Sequence, residues 1–121
     1  MWADLYPEDI KAHTMLAESY KKQDQMQLAI AEYKKILELD HQQYNIVRVL
    51  GDLYEQSAKY DSAAYYYGRY AKQFPDDFKS YRDLGELNML MTEFSKAKEN
   101  FDKALLIEPA NISVILALAN L

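Results

Sequence analysis

Residues 47–54 read VRVLGDLY, and residues 81–88, thirty-four positions further on, read YRDLGELN. Leu50-Gly51 and Leu84-Gly85 fall at the same place in the two stretches. The same step backward reaches Leu16-Ala17, and the same step forward reaches Leu118-Ala119. Other positions keep the interval. Tyr20 aligns with Tyr54, Ala29 with Ala63 and Ala97, and Tyr33 with Tyr67 and Phe101. Pro7, Pro75 and Pro109 lie on the same grid, which His41 interrupts. Self-similarity at this period is the signature of a chain built from stacked copies of one supersecondary unit.

The spacing inside each copy is helical. Leu16, Ala17 and Tyr20 stand at i, i+1 and i+4, one face of a helix. Ala29, Tyr33 and Ile36 stand at i, i+4 and i+7 on the next. A small residue beside each Leu lets the second helix approach the first closely. The ring at Tyr33, Tyr67 and Phe101 fills the space between hairpins.

These residues resemble the tetratricopeptide repeat family. Its pattern is a large residue, Leu, a small residue and an aromatic, then Ala, an aromatic, Ala and Pro. The third copy reads Tyr81, Leu84, Gly85, Asn88, Ala97, Phe101, Ala104, Pro109. The second reads Val47, Leu50, Gly51, Tyr54, Ala63, Tyr67, Tyr70, Pro75, and the first His13, Leu16, Ala17, Tyr20, Ala29, Tyr33, Ile36, His41. The resemblance implies an all-α fold, a right-handed α-solenoid of antiparallel helix hairpins. First helices would line a concave groove and second helices a convex back. The copies run Ile10–Gln43, Tyr44–Asp77 and Phe78–Asn111. Residues 1–9, with Trp2 to Tyr6, read as the tail of a preceding partial repeat, and residues 112–121 as the first helix of a truncated fourth.

Asp9, Asp77 and Asn111 stand where first helices want an N-cap, with Gln43 the exception. Asp24 and Thr92 are placed to cap second helices. Pro75 and Pro109 fit just past helix ends. The family often has Gly in the turn inside each hairpin, where this chain has Asp24, Ala58 and Thr92. Asn88 replaces an expected aromatic, which should loosen the third hairpin. Because the grid runs past both ends, the chain reads as a fragment of a longer array. A repeat buries its face only against a neighbour, so Ile115, Leu116, Leu118 and Leu121 are expected to be exposed and to promote self-association.

Composition agrees with helices. Half of the 121 residues are hydrophobic, and only three Gly and three Pro are present. The net charge of -5, without a basic block, argues against nucleic acid and against an anionic membrane surface. There is no Cys, which excludes disulfides and thiolate chemistry. No stretch reads as a signal peptide or a membrane span. The compartment stays open, with the cytoplasm as the expected place.

Groove candidates are Lys11, Thr14, Glu18, Lys21, Asn45, Arg48, Asp52, Glu55, Lys79, Arg82, Glu86 and Met89. Arg48–Asp52 and Arg82–Glu86 are spaced to pair along one helix. Family members that bind acidic chaperone tails use a clamp of Lys, Asn and Arg. Started at the first copy, its places hold Thr14, Glu18, Val49, Lys79 and Asp83, and only Lys79 matches. Started at the second they hold Arg48, Asp52, Asp83, Ser113 and Ala117, and none matches. Such tails are therefore not expected as ligands. Of Tyr65, Tyr66 and Tyr67, Tyr67 should be core and Tyr65 exposed, because consecutive helical residues point about 100° apart. His13 and His41 have no metal spacing, no phosphate loop or nucleophile elbow occurs, and the carboxylates fall on expected solvent faces. Asn111-Ile112-Ser113 is a glycosylation acceptor by pattern alone. The expected function is a protein-interaction module holding a partner segment in its groove, with self-assembly through the solenoid ends as the alternative. No enzyme activity, cofactor or metal is expected.

Overall fold

The computed structural model describes residues 7–121, with side chains from Ile10 onward. The expected tail of a preceding copy, Trp2 to Tyr6, lies outside the described residues. Among those described there are seven helices and no strand: α1 Pro7–Lys22, α2 Met26–Leu39, α3 Tyr44–Gln56, α4 Tyr60–Gln73, α5 Phe78–Leu90, α6 Phe94–Ile107 and α7 Ile112–Ala119. Successive helices pack on one another, most extensively within the pairs α1–α2, α3–α4 and α5–α6. The result is an all-α solenoid, stabilised between nearest neighbours.

α1 is described from Pro7 onward, so Asp9 lies inside the helix and is not its N-cap. The other first helices follow the sequence. Asp77 accepts the Lys79 amide at 3.1 Å, and Asn111 Oδ1 accepts the Val114 amide at 3.1 Å. Gln43 caps nothing with its side chain.

The caps assigned to Asp24 and Thr92 are not made. The residues before α2, α4 and α6 are Gln25, Lys59 and Glu93, without side-chain caps. Asp24, Ala58 and Thr92 instead take left-handed backbone, with φ of 62°, 59° and 57°. Each closes the preceding helix in the same way. The amide one residue on donates to the carbonyl five positions back, in the pairs Gln25–Tyr20, Lys59–Tyr54 and Glu93–Asn88, all at 2.8 Å. This is the Schellman closure that glycine usually serves. The turns hold without glycine, at a steric cost of about 1–2 kcal/mol per left-handed residue. Ala58→Gly and Thr92→Gly are each expected to raise stability by about 1 kcal/mol, read from urea unfolding, because they remove a clashing Cβ and keep the closure.

The core follows the grid. Ala29, Ile36, Val47, Leu50, Leu53 and Ala63 have no exposed surface, nor do Leu87, Ala97, Phe101 and Ala104. A Cβ built on Gly51 would lie 2.7 Å from the Tyr67 ring, and one on Gly85 2.6 Å from the Phe101 ring. Small residues at these places are thus what lets paired helices meet. Leu16 departs from its column: it is exposed, because α1 packs on no earlier helix among the described residues. Asn88 is buried, and its side-chain carbonyl accepts from Asn100 Nδ2 at 2.7 Å. A polar pair stands where an aromatic would fill the third hairpin.

Candidate functional site

The residues expected to line a groove lie on the first helices of the hairpins, α1, α3 and α5. Residues 48, 52 and 55 of α3 follow i, i+4, i+7 spacing, as do 82, 86 and 89 of α5, so each set shares one face. Lys11 and Glu18 are exposed on α1, as are Asn45 on α3 and Lys79 and Glu86 on α5. Lys21 is also exposed. Thr14 is half-buried and donates its hydroxyl back to the Ile10 carbonyl at 2.7 Å. Met89 is half-buried against the cluster of Ala97, Phe101, Ala104 and Val114.

The expected intrahelical pairs do not form. Arg48 crosses from α3 to α5 and donates to Asp83 Oδ2 at 2.8 Å, and Arg82 donates to Asp83 Oδ1 at 3.3 Å. One carboxylate thus takes both arginines. Asp52 accepts the Tyr67 hydroxyl instead. Arg48 also lies over the Tyr70 ring, 5.7 Å from its centroid, and Arg82 over Phe78 at 5.5 Å. An interhelix pair wins because Asp83 is largely shielded from solvent, where charge-assisted bonds are stronger.

Three carboxyls on α3 and α5, those of Glu55, Asp83 and Glu86, are shifted upward, contrary to the sequence expectation. Burial pushes the Asp83 carboxyl up although Arg48 and Arg82 pull it down. Glu55 is pushed up by burial, then by the charges of Asp52, Asp83 and Glu86. Glu86 is pushed up by burial and by Asp83. Each shift marks acids crowded on one surface. Asp83 itself escaped the sequence reading. The available signal was its column, Met15, Val49, Asp83 and Ala117, in which it alone is charged.

The helix order, the three left-handed closures and the small-residue–ring contacts agree with one repeat plan, and a family model described as a tetratricopeptide repeat matches residues 10–43. Residues 10–43 thus match one tetratricopeptide repeat, and the later helices follow the same plan. Over 98% of its length it is 27% identical to the type IV pilus assembly protein PilF of Pseudomonas aeruginosa, and it spans 48% of that relative. The solved structure of MamA matches with a TM-score of 0.79 at 22% identity, over 93% of this chain and 66% of that one. The first repeat domain of Spaghetti (RPAP3), bound to the HSP90 peptide SRMEEVD, matches with a TM-score of 0.74 at 18% identity, over 93% and 92%.

Elsewhere in the repeat array, Tyr67 is buried and Tyr65 is 60% exposed. His13, at a packing position, holds Glu32 of α2 at 2.6 Å, and Lys35 reaches the same carboxylate at 3.6 Å. On α7, Ile115 and Leu116 are exposed, as is Leu121 just past it, whereas Leu118 is half-buried against the core. Among the described residues no helix is long and apolar enough to cross a membrane.

Proposed function

We propose that this chain is a protein–protein interaction module whose concave face, built by α1, α3 and α5, holds a segment of a partner protein. The observation that carries the reading is the charge balance of that face. Asp83 engages both Arg48 and Arg82. Glu18, Asp52, Glu55 and Glu86 remain as an acidic strip, in which the Glu55 carboxyl is raised by burial and then by the charges of Asp52, Asp83 and Glu86. Lys11, Lys21 and Lys79 lie at its margins. A strip of this kind favours a segment carrying Lys or Arg, and complementary charge selects partners by excluding the wrong sign. The RPAP3 domain holds SRMEEVD, a peptide with an acidic end. The face described here favours the opposite sign. The division into copies 10–43, 44–77 and 78–111, with residues 112–121 opening a fourth, belongs to the same proposal.

A second reading is self-assembly through α7 and the residues just past it, favoured by the exposure of Ile115, Leu116 and Leu121. Capture from a native extract separates the two. Glu18→Lys/Glu86→Lys changes exposed groove acids, and Leu116→Lys changes the α7 surface. Groove binding predicts a partner retained by the wild type and by Leu116→Lys, and weakened about tenfold or more by the double variant. Recovery of self-copies alone, lost with Leu116→Lys, would replace the groove reading with assembly.

A further inference from the structure

The back of the array has the opposite polarity. α4 and α6 flank a cleft of about 680 Å³, floored by Tyr81 and Leu84 of α5. Arg69 and Lys72 line it from α4 and Lys103 from α6, and no carboxylate lines it. Tyr81 and Leu84 lie on the side of α5 away from Arg82, Asp83 and Glu86, given about 100° of turn per residue. The cleft is therefore separate from the concave face.

Its cations are uncommitted. Among the described residues, Arg69, Lys72 and Lys103 make no ion pair, although the chain carries five more acids than bases. Aromatic faces hold two of them in place. The Arg69 guanidinium lies 6.0 Å from the centroid of Tyr65 and 5.9 Å from that of Tyr66, and Lys103 Nζ lies 5.9 Å from that of Tyr81. Such contacts orient a cation without neutralising it. They also give exposed Tyr65 a task, as the support of Arg69.

We propose that the cleft between α4 and α6 is a second binding site, which takes an acidic segment of a partner protein. Carboxylates of the segment meet Arg69, Lys72 and Lys103, and an apolar or aromatic side chain rests on Tyr81 and Leu84. The volume suits several side chains rather than one small anion. The apolar floor gives a peptide contacts that a bare phosphate cannot use. A long nucleic-acid backbone would meet the net negative charge of the rest of the chain.

The test is an NMR titration of the isotopically labelled chain with a synthetic peptide alternating Glu with Leu and Phe. Expected are amide shifts along residues 68–72, 81–84 and 100–104. In Arg69→Glu/Lys103→Glu the affinity should fall about tenfold or more, as repulsion replaces two charge-assisted contacts. Lys72→Glu, at an exposed site, carries the same test if the double variant melts early. Shifts confined to the concave face, equal affinity in the variants, or an equal response to a Lys–Leu peptide would overturn the proposal. So would salt-sensitive dimerisation lost in the variants, since the occupant would then be a second copy.

Discussion

Phe101→Ala lowers stability by about 3–5 kcal/mol, the range for emptying a fully buried aromatic site. The Phe101 ring has no exposed surface and lies over Gly85 on α5, in one cluster with Ala97, Ala104 and Val114. It ties α5, α6 and α7 together, and the Asn88–Asn100 pair beside it supplies little apolar packing. Domains of this size are stable by roughly 5–15 kcal/mol in all, so the loss is a large fraction. In an array stabilised between neighbours the damage is local. Hydrogen exchange is expected to quicken in α5 to α7 first, with α1 to α4 protected longer. Gly85→Ala tests the same contact from the other side. Its Cβ would meet the ring at 2.6 Å, and overpacking of this kind costs about 1–3 kcal/mol. Urea unfolding with exchange measurements reads both variants, and uniform loss across all helices would contradict the local role of this cluster.

Arg48→Glu is the second large effect. The side chain bridges α3 to α5 through Asp83 at 2.8 Å. Reversal removes that bridge and adds an acid beside Asp52, Glu55 and Asp83. Breaking a buried pair from one side costs about 3–5 kcal/mol. Arg48 keeps part of its surface in water, so screening lowers the expectation to about 2–3 kcal/mol. Lys79→Glu, at an exposed site on the same face, should stay within about 0.5 kcal/mol. The pH dependence has a definite sign. Folding raises the carboxyls of Glu55, Asp83 and Glu86. As pH falls toward the carboxylate range, the folded state takes up protons before the unfolded state does. Stability associated with these groups is therefore gained on acidification and lost as pH rises through their folded values. Arg48→Glu crowds them further, so its deficit should narrow in thermal melts between neutral pH and about pH 5. Arg48 is thus part of the fold, and groove binding is better probed at Glu18 and Glu86.

The fold was legible because its information is periodic. Leu50-Gly51 and Leu84-Gly85 marked the close helix contacts, and Tyr67 and Phe101 marked the rings above them. What sequence reading missed depends on contacts between copies. Spacing along one helix suggests Arg48–Asp52, but only the stacking of α3 on α5 brings Arg48 to Asp83 and leaves Asp52 to Tyr67. The turns were misread for a different reason. Asp24 and Thr92 are good N-cap types, yet the left-handed closure of the preceding helix claims their position, and Ala58 accepts the same backbone. Leu16 and Leu118 lie on helices with one packed neighbour each among the described residues, where a column keeps its residue type but not its burial. The cleft at Arg69 could not be read from sequence, because its walls come from three helices.

The central claim is that a partner segment lies along the concave face, and site-specific cross-linking tests it most directly. The chain has no cysteine, so a single photo-reactive label can be placed without background. Glu86→Cys puts it in the groove, Lys98→Cys on the outer side of α6, and Leu116→Cys on α7. Cross-linking of the captured partner from Glu86→Cys, and not from Leu116→Cys, is the predicted result. Cross-linking from Leu116→Cys or Lys98→Cys with none from Glu86→Cys would contradict the account.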